Sequence, residues 1–416
     1  MEILVIRPDA IGDLVLTLPA IQAVKEHYPG ARITALISEY TKPVAECSPA
    51  IDRVIVGYDL KKYKFDLSIN YYNQGRDTIA AFRAGIPRRL GDSSRVLTAW
   101  MNNLKVFRDW NDFSRHEVEF NFDLLKPLGI KMKENARPVL TARAKVPLEL
   151  DPQDLTIGLH VGARTSRSWP ARGFAGLAAW LVKEKGAKVL LLGGPAERAK
   201  AEEVARLSGV PVTNLAGKIP LDQLIAVISR LKFFVGMDTG PTHLAAAFGI
   251  PLVMLCLNKK AKPLRWGPWQ TRHLVCVPGD SAEVSAAAET VLKGGGVATR
   301  QEALYHWAQQ SLGIAIVHDA ATKERANQLA ALLQAGGYRH YLTEEKNIRK
   351  LLDFFVSHDT LVVHRLGRAG GCAPFLAQQL TGSYLASRAL LVNDQGENFG
   401  SPRELIDLYF ARARQV

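Results

Sequence analysis

Short apolar runs alternate with longer segments of helical periodicity from the first residues onward. Residues 2–7 read as an apolar strand, 8–12 as a turn, and 13–28 as a helix stopped by Pro29-Gly30. Further apolar runs at 32–37, 53–56 and 66–69 have strand length. Near-continuous apolar strands separated by helical segments are buried on both faces, which predicts a mostly parallel α/β sheet.

Residues 144–154 mix Pro147, Pro152 and charged side chains, the composition of a linker between compact units. A second α/β pattern then starts, with strands expected at 156–160, 188–192, 233–235 and 252–255, and helices at 174–185, 196–207 and 221–230. A helix at 281–292 closes it before Gly294, Gly295 and Gly296. Beyond that, 313–318, 325–335, 361–364 and 389–392 suggest a third, smaller α/β unit with no recognisable motif. The expected organisation is two doubly wound lobes, 1–150 and 151–300, facing one cleft, with an extension at 301–416. Open α/β sheets bind ligands beyond the carboxyl ends of their strands, so chemistry is sought in the turns just after strands.

Length and composition agree with this division. A chain of 416 residues exceeds what one hydrophobic core organises, and 47% apolar with 22% charged residues is ordinary globular usage. No charged leader with an apolar stretch and no bilayer-length apolar run is present, so a cytoplasmic protein is expected. Cys47, Cys256, Cys276 and Cys372 are too scattered for a zinc knuckle or a disulfide framework and read as small buried apolar residues. The net charge is +13. Lys+Arg against Asp+Glu runs 22 to 18 over residues 1–150, 19 to 11 over 151–300 and 12 to 11 over 301–416, so the excess lies in the first two thirds. No nucleic-acid signature accompanies it, and a small or lipid-borne anion is the expected partner.

Three turns carry candidate chemistry. In Arg7-Pro8-Asp9-Ala10-Ile11-Gly12-Asp13 a strand gives way to a helix, which places unpaired N–H groups and the positive helix end at the strand's carboxyl edge. Gly12 permits close backbone approach, and Asp13 projects a carboxylate from the first turn; a catalytic base and a helix cap fit that position equally well. In Gly236-Met237-Asp238-Thr239-Gly240-Pro241-Thr242-His243 the turn residues and Pro241 leave N–H groups pointing outward to grip an anion, with the Thr239 and Thr242 hydroxyls in reach. His243 faces either the ligand or the packing. His160-Val161-Gly162-Ala163-Arg164-Thr165-Ser166-Arg167-Ser168-Trp169-Pro170 is a cationic loop whose arginines suit a leaving diphosphate, or else a solvated loop anchored by Trp169. Gly193-Gly194-Pro195-Ala196-Glu197 repeats the glycine-turn logic more weakly, with Glu197 able to accept from ribose hydroxyls.

Taken in this order, these segments resemble glycosyltransferase family 9, the heptosyltransferases of lipopolysaccharide core assembly, over roughly residues 1–296. The likeness is strongest in Ile3-Leu4-Val5-Ile6-Arg7 through Gly12-Asp13-Leu14-Val15-Leu16-Thr17-Leu18-Pro19-Ala20, and in Asp238-Thr239-Gly240-Pro241-Thr242-His243-Leu244-Ala245-Ala246-Ala247. It implies a GT-B fold of two Rossmann-like lobes, the first for the acceptor and the second for the donor, ADP-heptose. It implies Asp13 as general base in an inverting transfer without a covalent intermediate. Arg167 falls where many relatives have a lysine on the diphosphate, Glu197 matches the ribose contact, and the backbone at Lys218-Ile219 matches the adenine contact. Asp9 and Ala10 depart from the small hydroxyl residues of some relatives. No metal and no cofactor is implied, and no Asp-x-Asp pair sits in a loop suited to one.

The acceptor side is read from charge. Lys61, Lys62 and Lys64, then Arg83, Arg88, Arg89 and Arg95, would meet an anionic lipid-linked oligosaccharide, and they also draw a protein into transient contact with the inner membrane surface. The competing reading is a solvated basic face. Transfer of another nucleotide sugar, a protein acceptor, and a silent nucleotide-binding scaffold are the alternative functions.

Overall fold

The computed structural model describes residues 1–72, 74–108, 110, 115–163, 168–257, 263–276, 278, 280–297, 312–318, 322–344, 360–365, 389–393, 399, 401, 404–405 and 407–408. The chain forms two compact units, Met1–Arg300 and Gln301–Val416.

The first unit holds two six-stranded parallel sheets. Strands β1 (Glu2–Ile6), β2 (Arg32–Ile37), β3 (Arg53–Val56), β4 (Leu67–Asn70), β5 (Arg88–Asp92) and β6 (Leu104–Val106) are ordered β3-β2-β1-β4-β5-β6. Strands β7 (Thr156–His160), β8 (Lys188–Leu192), β9 (Thr213–Asn214), β10 (Phe233–Met237), β11 (Leu252–Leu255) and β12 (His273–Cys276) are ordered β12-β11-β10-β7-β8-β9. Each is the doubly wound dinucleotide-fold order, and each reverses direction between its first and fourth strands, β1/β4 and β7/β10. The connecting helices are α1 (Ile11–His27), α2 (Lys42–Glu46), α3 (Gly75–Arg83), α4 (Val96–Ala99) and α5 (Glu117–Asp123) around the first sheet. Around the second are α6 (Ala171–Lys185), α7 (Arg198–Ser208), α8 (Leu221–Ile228), α9 (Gly240–Ala247), α10 (Pro263–Trp266) and α11 (Ser281–Leu292).

Alternate residues of β1 divide the packing. Leu4 and Ile6 join Leu36, Ile55, Leu60, Phe65, Ala81 and Ile86 on the outer face of the first sheet. Ile3 and Val5 enter a larger core that runs on through α1, α8 and α9 to Leu190, Leu192, Phe234, Leu252 and Met254 of the second sheet. A third core covers the far face of that sheet, with Trp169, Phe174 and Leu177 on Phe233 and Val235. The two lobes therefore share their middle layer, which explains why α1 is buried along Leu14–Ile21 on every side.

Two stretches differ from the sequence expectation. Residues 144–154 contain no regular element, yet they are not a free linker: Ala142, Val146, Leu148 and Leu150 pack on the shared core while the residues between them face outward. An extended strap presents alternate side chains to one side, and period two in this short run lacked the flanking turn signals that would have marked it. Strands β5, β6 and β9 carry too few consecutive apolar residues to be read locally. Pairing defines them, as in Arg88-Arg89-Leu90-Gly91-Asp92, where Leu67, Ser68 and Ile69 of β4 set the register.

The second unit forms a four-stranded parallel sheet in the order β14 (Arg339–Glu344), β13 (Leu312–His318), β15 (Thr360–Arg365), β16 (Ala389–Asn393). The helix Lys323–Ala335 packs Leu329 and Leu333 into the core that holds Ile314 and Ile316.

The segment between β11 and β12 reaches across to the first lobe. Trp269 is 3% exposed within the shared core, and its indole N–H donates to the Ala136 carbonyl at 2.7 Å. Trp269→Ala should therefore destabilise the first unit by about 3–5 kcal/mol in chemical denaturation; an unchanged midpoint would mean the crossing does not hold the lobes together.

Candidate active site

The carboxyl edges of the two sheets meet through helix ends. Helix α1 starts after β1 and α9 starts after β10, beside the reversal points of their sheets. A Cβ built on Gly12 would lie 2.7 Å from His243 Cδ2, and one on Gly240 would lie 2.6 Å from Ile11 Cβ. The first turn of each helix thus rests on the other, with a glycine at both contacts because no larger residue fits. Neither Ala10 nor Thr239, the residues preceding these turns, caps its helix with a side-chain hydrogen bond. Their first N–H groups stay available for an anion, and two positive helix ends add at one place.

Asp13 stands in the first turn of α1, and its Oδ1 accepts from Arg7 Nη2 at 3.1 Å. Arg7 is 3% exposed and also donates to the Tyr71 carbonyl at 2.9 Å and to Glu117 Oε1 at 3.2 Å. Glu117, the first residue of α5, binds Arg265 of α10 through Oε2, with Nε at 3.1 Å and Nη2 at 3.0 Å. A buried chain of charge, Asp13–Arg7–Glu117–Arg265, therefore runs from one lobe to the other. Breaking such a chain costs several kcal/mol because it strands an uncompensated buried charge, although the intact pairs add little net stability. Its effect is to hold the Asp13 carboxylate in one orientation, which is what a base must have.

Asp9 is the second carboxyl at this edge. Its Oδ1 lies 3.0 Å from Arg7 Nε without hydrogen-bond alignment. Burial pushes its pKa up to about 7, opposed by Arg7 and reinforced by Asp13 and Glu117. Near neutrality it can carry a proton, which removes the repulsion a diphosphate would otherwise meet here.

On the second lobe, His160 at the end of β7 is held neutral, its pKa lowered to about 4 by burial and then by Lys200, with Nδ1 3.4 Å from Thr239 Oγ1. Glu197 Oε2 accepts from the Gly194 N–H at 2.8 Å, which spends one oxygen on its own turn. Gly217 N–H donates to the Gly193 carbonyl at 3.0 Å and brings the exposed Lys218 and half-buried Ile219 beside that turn. Glu197, Lys218, Ile219, Asp238, Thr239 and His243 thus share one carboxyl edge with Gly12 and Asp13 across from it. Thr242 is fully buried, and its hydroxyl donates to the Met237 carbonyl at 2.5 Å, so it shapes the turn from within. His243 is 5% exposed, 3.8 Å from Asp238 Oδ1, and its Nδ1 has no hydrogen-bond partner among the described residues. Arg164 and Arg167 lie outside the described residues.

The basic residues assigned to the acceptor are not brought to Asp13. Arg88 and Arg89 open β5 at the amino edge of the sheet, opposite to the edge that carries Asp13. Arg89 is tied to the carbonyls of Met101, at 2.6 Å, and Ile86. Lys61, Lys62 and Lys64 are exposed on the connection that returns from β3 to the amino end of β4, and Lys62 pairs with Asp59 at 2.8 Å. Sequence reasoning missed Glu117, Arg265 and His160. Only Glu117 had a readable sign: His116 and Glu119 cap the start of α5 reciprocally.

The comparisons with known proteins fit this geometry. The sequence profile of glycosyltransferase family 9 (heptosyltransferase) matches residues 53–293, more than half of the chain. The chain belongs to that family. Among its relatives, a Haemophilus influenzae protein named only as a glycosyltransferase is 25% identical over 325 residues, 70% of this chain and 93% of its own length. Lipopolysaccharide heptosyltransferase 3 of Escherichia coli is 28% identical over 302 residues, 66% of this chain and 88% of the relative. The solved Escherichia coli ADP-heptose lipopolysaccharide heptosyltransferase II has a TM-score of 0.60 at 22% identity and covers 70% of this chain and 99% of that one. The family 9 chain therefore has the two-lobed GT-B fold in its first unit, and its turn at Gly12-Asp13 precedes the profile match.

Two outcomes follow for this family 9 site. Gly12→Ala forces a methyl against the His243 ring and should lower turnover about a hundredfold while the chain stays folded, read by steady-state kinetics beside circular dichroism. For Asp9 the folded pKa lies above its ordinary value, so the folded state holds a proton that the unfolded state releases; this contribution to stability is present at low pH and is lost as pH rises through about 7. Asp9→Asn should flatten that loss in thermal unfolding between roughly pH 4 and 7; an identical loss in the variant would assign it to another group.

Proposed function

We propose that this protein is an inverting heptosyltransferase that moves heptose from ADP-heptose to an anionic, lipid-linked acceptor of the lipopolysaccharide inner core. The observation that carries the reading is the abutment of the two uncapped helix ends, with the Asp13 carboxylate on one and the Asp238–His243 turn on the other. The relatives named for lipopolysaccharide heptosyl transfer support the substrate pair.

In this reading the donor diphosphate lies on the N–H groups at the start of α9, near the Thr239 hydroxyl. The adenosine extends toward Glu197 and the backbone at Lys218-Ile219, and Arg164 and Arg167 are assigned to the diphosphate. Asp13, held by Arg7 at Oδ1, takes the proton of the acceptor hydroxyl through Oδ2, which accepts no hydrogen bond among the described residues. The hydroxyl oxygen attacks the anomeric carbon from the face opposite the diphosphate, and ADP leaves toward the helix end as its charge develops. The first lobe binds the acceptor, and the protein works at the inner face of the cytoplasmic membrane through transient surface contact.

Purified protein given ADP-heptose and a Kdo-bearing lipid A acceptor, in excess EDTA, should yield a product heavier by one heptose with ADP in equal amount. Asp13→Asn should slow transfer about 10²–10⁴-fold with ADP affinity retained. Full activity in that variant would remove the base from Asp13, and transfer abolished by EDTA would overturn the metal-free reaction.

A further inference from the structure

Ten large apolar side chains are exposed among the described residues, and four of them, Phe82, Leu97, Trp100 and Phe107, fall between residues 82 and 107. Leu97 is 88% exposed, Phe107 72% and Trp100 61%. They share one side of the first sheet. Leu104 and Val106 pack into the core shared by the lobes, so alternation along β6 turns Lys105, and Phe107 after it, to the opposite side. That is the side of α3 and α4, where Thr98 meets Gly75 and the Phe82 and Trp100 rings lie 5.4 Å apart, edge to face.

Charge tells what such a surface meets. Arg83, Arg95 and Lys105 are exposed on the same stretch, and none forms an ion pair among the described residues. The sole acidic residue from 78 to 108 is Asp92, which is buried against Arg108 at 3.1 Å and bonded to the Trp110 indole at 2.7 Å. A basic field with protruding Trp, Phe and Leu matches an anionic bilayer surface, where aromatic rings settle at headgroup depth and cations lie on phosphates. A membrane surface offers phosphates for the cations and a low-polarity phase for the protruding rings within one layer, which is the combination this stretch presents.

We propose that this face, formed by α3, α4 and β6, seats the protein on an anionic membrane, with Leu97, Trp100 and Phe107 entering the headgroup region and Arg83, Arg95 and Lys105 on lipid phosphates. The proposal rests on the lipid-linked acceptor of the preceding reading and gives it a surface. The face also adjoins the reaction edge. Phe107 precedes Arg108, whose Nη2 donates to the Tyr71 carbonyl at 3.1 Å, the same carbonyl that accepts from Arg7 of the Asp13 pair.

The test uses the full chain with vesicles of phosphatidylcholine, alone or mixed with phosphatidylglycerol, followed by sedimentation. Wild-type protein should bind the anionic vesicles and release with added salt. Each basic residue near such a surface is worth about fivefold in affinity, so Arg83→Glu with Lys105→Glu should weaken binding about 25-fold or more. Leu97→Ser, Trp100→Ser and Phe107→Ser together should abolish it, with ADP affinity and the circular dichroism spectrum unchanged. Vesicle binding that survives both variants overturns the proposal. So does a wild-type dimer that these variants convert to monomer without any vesicle binding, because that gives the face to a second copy. Transfer to an acceptor dispersed in detergent separates the two readings: wild type and variants should be equally active there and differ only on vesicle-borne acceptor. Activity in neither format condemns the heptosyltransferase reading, and equal activity in both condemns the docking face alone.

Discussion

Helix α1 has no side that meets solvent along its middle. It lies between the first sheet and the first turn of α9, and the two helices come close enough at their amino ends that only glycine fits at Gly12 and Gly240. Most features of the active edge depend on this contact. It fixes the separation of the lobes where they face each other, sums two helix-end fields at one point, and sets Asp13 opposite the turn that would hold a leaving diphosphate. A longer side chain at either glycine would separate the helix ends and remove all three effects together.

The charge chain through Arg7, Glu117 and Arg265 adds orientation to that separation. A carboxylate on a helix end is free to rotate, and water competes for its oxygens. Here Arg7 takes one oxygen of Asp13 and is itself held by Tyr71 and Glu117, while Glu117 is held from the other lobe by Arg265. The position of the second lobe is thus transmitted to the Asp13 carboxylate through three buried side chains. Asp9 shows the other consequence of low-polarity surroundings: burial, reinforced by two further carboxylates and opposed by Arg7 and a backbone hydrogen bond, lets it retain a proton up to about pH 7.

Much of the fold was legible in the chain. The strands Arg32–Ile37, Thr156–His160, Lys188–Leu192 and Leu252–Leu255 appear at the positions their apolar runs indicated, because a parallel strand buried on both faces is apolar along most of its length. Strands β5, β6 and β9 were not legible. Arg88–Asp92 has an arginine pair at its start and reads as a basic segment until its neighbour supplies the register. The same limit applied to the charges. Arg88 and Arg89 look like ligand contacts in sequence, but parallel pairing sends them to the amino edge, whereas the ligand edge of such a sheet is the carboxyl one.

The sequence by itself determined the two α/β repeats, the turns at Gly12-Asp13 and Asp238–His243, and the family to which they belong. These are local properties: apolar runs of strand length, glycine and proline at turn positions, and a carboxylate in a first helical turn. Tertiary structure alone decided that the two turns touch, that Glu117 and Arg265 tie them together, that Thr242 points inward, and that exposed apolar and basic side chains gather on the outer face of the first sheet beside the reaction edge. Those facts depend on which residues distant in the chain become neighbours, and that is set by packing one lobe's core against the other, a quantity no short stretch of sequence contains.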